Sequence, residues 1–384
     1  MRSSCEPKWS VRAAGSIRAA GESSFGSAFG SAFRSTFGSA LGVTLVALSV
    51  ALGAAGCTAP GGTAPGNTNA PPPAAVSSSA ALPSWRDGAA KQTIEKFVAD
   101  VTREGSPNFV PPAERIAVFD NDGTLWSEQP LYFQFVFMLD QVKAAAPKHP
   151  EWKTNPAFKA LVAKDYGALA SQQKQLLQLV AVANSGMTVD AYDKTIRDWL
   201  ASARHPKFNR PYTELVYQPQ LELLAYLRAN GFKTFIVSGG TIEFMRPWAE
   251  KAYGIPPEQV IGSSQLVQYQ MHDGQGALVR LPKIDFVDDG AGKPVGIYRN
   301  IGRKPILAFG NSDGDLQMLQ YTTSGNGPHL ALLVHHDDAV REFAYDRASK
   351  IGKLDKAWDE AIADGWTVVS MKDDWQTIYP APTQ

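Results

Sequence analysis

The sequence predicts an α/β fold in which a parallel sheet is sandwiched between helices. Two observations carry this. Short apolar runs of strand length alternate with stretches of helical period, and the runs are apolar throughout, as in strands covered on both faces. Three of these runs also end in polar turns rich in Asp, Asn, Ser and Gly. In an open parallel sheet the carboxyl ends of the strands share one edge, so the three turns are expected to meet there.

The first 85 residues are expected to lie outside that fold. Residues 1–40 carry Arg2, Lys8, Arg12, Arg18 and Arg34 against only Glu6 and Glu22, and repeat a Phe-Gly-Ser-Ala phrase from Phe25 to Ala40. Leu41 to Ala55 is a charge-free apolar run of fifteen residues, short for a bilayer span. A basic start, a short apolar core and a small-residue end read as an export signal over 1–56. Ala54-Ala55-Gly56-Cys57 resembles a bacterial lipoprotein signal, which implies cleavage before Cys57 and a lipid on its sulfur. Ala54 stands where Leu is more usual. The uncharged, Ala-, Pro-, Gly-, Ser- and Thr-rich stretch over 57–85 reads as a flexible tether. The expected location is a bacterial membrane surface facing the periplasm or exterior.

Composition bounds the partners. The 384 residues hold 37 Lys plus Arg and 37 Asp plus Glu, which argues against a nucleic-acid binder and against a polybasic membrane-surface protein. Two cysteines exclude a disulfide scaffold. Removing 56 residues, with five basic and two acidic side chains, leaves 328 residues and a net charge of −3.

The folded domain is expected over 86–384. Ile94, Phe97, Val98 and Val101 share one helix face. Arg115 to Phe119 is a buried strand running into Asp120-Asn121-Asp122-Gly123-Thr124. Leu221, Leu224 and Leu227 precede Gly231, a helix stop, and Phe232 to Val237 is a strand ending at Ser238-Gly239-Gly240. Leu266 to Leu281 reads as a hairpin turning at Asp273-Gly274. Pro305 to Phe309 is a third strand, ending at Gly310-Asn311-Ser312-Asp313-Gly314-Asp315. His329 to Val334 and Trp366 to Met371 complete the set.

Two carboxylates two residues apart beyond a buried strand can serve one reacting centre, and Gly123 lets the chain turn away. With Ser238, a downstream Lys and the Gly310–Asp315 turn in that order, the sequence resembles the haloacid dehalogenase superfamily, closest to its phosphoserine-phosphatase-like branch. The resemblance covers roughly Trp85 to Met371 and implies a Rossmann-like sheet with an inserted helical cap. It implies Asp120 as nucleophile and Asp122 as general acid and base. Ser238, Gly239 and a lysine would bind phosphate. Mg²⁺ would be held by Asp120, Asp122, Asn311 and Asp315. Asn311 departs from the branch pattern, which has Asp there, so weaker cation binding is expected.

Three lysines could serve. Lys293, followed by Pro294 and a helix over Val295 to Ile301, fits the resemblance. Lys304 precedes a strand and should lie at the opposite edge, and Lys283 follows the hairpin and should be solvated.

Residues 130–213 are the expected cap, with helices over Leu131–Ala146, Asn155–Asn184 and Thr188–Ala203; Val189, Tyr192, Ile196, Trp199 and Leu200 mark one face of the last. Glu128 and Arg246 are candidates for facing the cleft. His335-His336-Asp337-Asp338 reads as a solvated strand end.

The function expected is Mg²⁺-dependent hydrolysis of small phosphomonoesters through an aspartyl-phosphate, at a lipid-anchored site. The alternative is a lipid-anchored protein that binds a phosphorylated ligand without turnover.

Overall fold

The structure is a computed structural model and describes residues 82–382, apart from 166, 167, 169–171 and 273. The expected export signal, most of the tether and the Cys57 attachment site lie outside the described residues. Folded structure begins before the expected residue 86. Leu82 and Trp85 are buried, and the Trp85 indole N–H donates to the Pro219 carbonyl at 2.9 Å.

Strands β1 (Ile116–Phe119), β2 (Lys233–Thr241), β3 (Val260–His272), β5 (Leu307–Gly310), β6 (Leu330–Asp337) and β8 (Thr367–Ser370) pair in parallel in the order β3-β2-β1-β5-β6-β8. Strand β4 (Gln275–Phe286) adds antiparallel to β3 at one edge, and β7 (Ala344–Tyr345) pairs with the end of β6. The expected hairpin is therefore longer than Leu266 to Leu281, and the start of β3, Val260 to Ser263, is a strand of the parallel sheet. Asp273, at the expected turn, lies outside the described residues.

Side chains alternate along the strands, as a period of two requires. Ala117, Phe119, Ile236, Leu307, Phe309 and Leu332 point to one face, into a core shared with helices α1 (Ala89–Thr102), α6 (Gln218–Ala229) and α7 (Ile242–Tyr253). Ile116, Val118, Phe235, Val237, Ala308 and Leu333 point to the other, against α8 (Gly292–Ile301), α9 (Leu316–Thr323) and α10 (Lys356–Asp364). Covering on both faces is the reason the strands read as unbroken apolar runs. Gly231, at φ 78°, follows α6 as its stop.

Between β1 and β2 lie α2 (Phe133–Ala145), α3 (Pro156–Val162), α4 (Gln173–Ala183) and α5 (Val189–Ser202). The single helix expected over Asn155–Asn184 is instead α3 and α4, and Lys164, at φ 54°, stands just beyond α3. Phe135, Leu139, Val142, Trp152, Leu161, Leu176 and Leu179 form a small core of their own. Helix α5 behaves differently. Tyr192, Ile196, Trp199 and Leu200 turn into the main core, where Trp199 and Phe137 meet Phe244 of α7.

Candidate active site

The three polar turns converge at the carboxyl edge of β1, β2 and β5. Asp120 leaves the sheet with its N–H donating to the Phe309 carbonyl at 2.9 Å. The chain then folds back: Leu125 N–H donates to Asn121 O at 2.8 Å, and Gly123 N–H donates to Trp126 O at 2.8 Å. Gly123 has φ 76°, and a Cβ there would lie 2.1 Å from Asn311 Nδ2 and 2.4 Å from Glu128 Oε1. Only glycine satisfies both the left-handed backbone and the close approach.

Lys293 ties the turns together. Buried at the start of α8, its ammonium donates to Asp120 Oδ1 at 2.7 Å, to Asp315 Oδ1 at 2.5 Å and to the Val237 carbonyl at 2.9 Å. Burial disfavours the ammonium, but the two carboxylates win and hold Lys293 above its ordinary pKa. One ammonium serves two buried carboxylates, so burial and the Asp315 charge push Asp120 up in spite of Lys293. Asp122 is raised to about 6 by burial, against the indole N–H of Trp126, which donates to its Oδ1 at 2.8 Å.

The Ser238–Thr241 turn closes the other side. Ser238 Oγ accepts from Gly240 N–H at 3.1 Å, and a Cβ on Gly240 would lie 3.7 Å from Asp122 Oδ2. Ser238, Gly240 and Lys293 therefore lie beside Asp120 and Asp122, whereas a Cβ on Gly239 would meet Asp289 at 3.6 Å. Gln134 of α2 pins this turn, accepting from Thr241 N–H at 2.8 Å and donating to Thr241 Oγ1 at 2.9 Å.

Asn311 and Asp315 are both present but already engaged. Asn311 Oδ1 accepts from the Thr124 hydroxyl at 3.0 Å, and its Nδ2 donates to Glu128 Oε1 at 2.8 Å. Asp315 Oδ2 accepts from the N–H groups of Asn311 and Ser312 at 2.9 and 3.0 Å, while Oδ1 holds Lys293. Asp315 is thus primarily the brace of its own turn and of the lysine.

Glu128 lies at the site but does not open onto a cleft: it is 1% exposed, and its Oε1 also accepts from the Tyr345 hydroxyl at 2.8 Å. Arg246 is elsewhere, donating to the Pro257 and Val260 carbonyls. Lys304 caps Ser324 and Lys283 is exposed, as their positions in the sequence imply. His336 departs from the solvated strand end expected for it. It is 2% exposed and its Nε2 donates to the Gly123 carbonyl at 2.8 Å.

Sequence reasoning missed Gln134, Tyr345 and the carboxylates Asp288 and Asp289 before α8. A Cβ on Gly314 would lie 2.8 Å from Asp289 Oδ1, so Asp289 sits between that turn and Gly239. The one available signal was the run of two acids shortly before Lys293.

A family model described as haloacid dehalogenase-like hydrolase matches residues 117–320. The chain belongs to this family. The matched span runs from β1 through the Gly310–Asp315 turn, so it contains all three turns of the haloacid dehalogenase-like site. Solved structures similar to the chain include a conserved functionally unknown protein from Anaerococcus prevotii, 16% identical with a TM-score of 0.43, covering 73% of this chain and 91% of that one. A probable phosphoserine phosphatase from Vibrio cholerae is 16% identical with a TM-score of 0.34, covering 72% and 73%. No curated protein matches the chain. Family membership rests on the sequence match and not on these likenesses.

Haloacid dehalogenase-like phosphatases use a divalent cation, and the residues present suit one. Among the described residues no group of three or more His, Cys, Asp or Glu side chains is arranged as a metal site. The donors here are of another kind: the Asp120 carboxylate, the Asp122 backbone carbonyl and the Asn311 amide oxygen, all hard oxygens. The surplus of buried negative charge over the single Lys293 ammonium favours a further cation at the same place.

Proposed function

We propose that this hydrolase cleaves small organic phosphomonoesters through an aspartyl-phosphate on Asp120. The observation that supports the reading most is the placement of Asp122. A carboxyl raised to about 6 stands beside the Ser238 turn, with Lys293 bound to the neighbouring Asp120. Such an acid can hold a proton for a leaving alkoxide near neutral pH and then take one from water.

In the first step an Asp120 carboxylate oxygen attacks phosphorus and the ester P–O bond breaks. The electron pair leaves with the alkoxide, which takes the Asp122 proton. Lys293 holds Asp120 Oδ1, which leaves Oδ2 for attack; among the described residues no hydrogen-bond donor occupies it. In the second step water attacks the same phosphorus, Asp122 takes its proton, and inorganic phosphate departs as Asp120 is restored. Ser238 Oγ and the Gly239 N–H would donate to the phosphoryl oxygens. Mg²⁺ bound by Asp120, the Asp122 carbonyl and Asn311, with Asp315 bracing the turn, would supply charge neutralisation for those oxygens.

The test is a panel of phosphomonoesters with purified protein, with Mg²⁺ and with chelator. Asp120→Asn should abolish turnover. Ligand affinity without any turnover would leave only the binding protein.

Export and lipid attachment at Cys57 belong to the same proposal and rest on the basic leader, the fifteen-residue apolar run and the small residues before Cys57. No helix among the described residues is long and apolar enough to cross a membrane. Mass spectrometry of the mature protein should find a lipid on Cys57; an unmodified Cys57 would end this part of the proposal.

A further inference from the structure

The end of β6 and the segment that follows it reach back to the catalytic turn through residues that the mechanism above does not use. His336 Nε2 lies 2.8 Å from the Gly123 carbonyl, which can only accept, so this nitrogen carries the proton. On its other side, His336 Nδ1 faces Glu342 Oε2 at 3.5 Å, and Glu342 is wholly buried. Glu342 is itself fixed: Oε1 accepts from the hydroxyls of Ser127 and Tyr217, and Oε2 from Phe343 N–H at 2.6 Å. Burial pushes this carboxyl up, but the contacts with His336, Ser127 and Phe343 outweigh it and hold it below its ordinary value. The His336 ring stacks on Tyr345 at 4.4 Å and 19°, and the Tyr345 hydroxyl donates to Glu128 Oε1, the acceptor of Asn311 Nδ2.

We propose that His336 is a positioning residue that sets the backbone of the Asp120–Gly123 turn. The inference rests on the reading of Asp120 and Asp122 as the reacting centre. Gly123 is the residue of that turn with left-handed backbone, and glycine has the widest choice of conformations to fall back on. Its peptide groups are held from two sides: the N–H by Trp126 O, and the carbonyl by His336. Remove the second tether and the carbonyl loses its buried donor, the turn loosens, and the Asp122 carboxyl and backbone carbonyl lose their aim. Tyr345 fixes the imidazole at its face, while Nδ1, 3.5 Å from Glu342 Oε2, has no hydrogen-bond partner among the described residues.

His336→Phe keeps the ring on Tyr345 and deletes the donor, whereas His336→Gln keeps an N–H donor at similar reach. The expected result for His336→Phe is a fall in kcat of about 10²-fold, as for a small misplacement of a reacting group, with KM little changed. Hydrogen exchange over residues 121–126 should quicken in the same variant. His336→Gln should recover most of both. Full turnover in His336→Phe, or an equal loss in both variants, would overturn the proposal. If His336→Phe does not fold, His336→Met makes the same comparison. Should the unaltered protein hydrolyse none of the phosphomonoesters, the phosphatase reading fails, and the exchange measurement alone decides whether His336 holds the turn.

Discussion

Asp122 and Asp288 show opposite uses of the same physical effect. Burial raises both carboxyls, Asp122 to about 6 and Asp288 to about 7. At Asp122 the raised value serves proton transfer, and Asp122→Asn should lower kcat by about 10²- to 10⁴-fold, measured with a good aryl phosphate. At Asp288 no proton transfer is implied, and neither carboxylate oxygen has a hydrogen-bond partner among the described residues. A folded-state pKa above the unfolded one means that the folded chain keeps a proton which the unfolded chain loses. The stability Asp288 contributes is therefore complete below about pH 4 and is lost as pH rises to about 7. Asp288→Asn removes that loss. Thermal unfolding of the two proteins should coincide more closely at pH 4 than at pH 8, where the variant gains on the order of 4 kcal/mol. A gap that narrows with rising pH would refute this account of Asp288.

At the scale of elements, the site depends on helix α2 holding the turn after β2. Gln134 makes two hydrogen bonds to Thr241, the N-cap of α7, and so fixes where Ser238 and Gly239 end. Gln134→Ala should raise KM about tenfold through one or two lost hydrogen bonds, with a smaller effect on kcat; a steady-state comparison of the two parameters checks it. Strands β1, β2, β5, β6 and β8 and helices α1 and α8 were legible in the sequence because each depends on its own apolar run and its own terminating turn. Asp120, Asp122, Ser238 and Lys293 were legible for a similar reason: each sits within a few residues of such a run, and the sheet topology brings the ends together. Gln134, His336, Glu342 and Tyr345 were not. Their partners around the catalytic turn lie more than a hundred residues away, and nothing local distinguishes His336 from the half-buried His335 beside it. The break between α3 and α4 was hidden because both halves keep helical apolar spacing. Helix α5 was read correctly as an amphipathic helix, but periodicity cannot say which core its face joins.

Across the whole molecule, charge is spread evenly in composition and unevenly in space. The balanced total of 37 against 37 conceals a place where Asp120, Asp122 and Asp315 are gathered around one Lys293 ammonium, with Glu128 close to the two aspartates Asp120 and Asp122. Folding concentrates that negative charge, and a divalent cation that binds only the folded form would relieve it. Such a ligand at a hundred times its Kd stabilises the native state by about 2.7 kcal/mol. For a chain of this size that corresponds to a rise in Tm of roughly 3–5 °C. Thermal unfolding in Mg²⁺ against chelator should show the rise, and Asp120→Asn should reduce it by removing a charged donor. Asn311→Asp should lower the Mg²⁺ concentration at which the rise is half complete, because a carboxylate there adds charge to the donor set. If Mg²⁺ leaves Tm unchanged in all three proteins, the buried carboxylates are balanced by their own protons, and the cation has no place in this site.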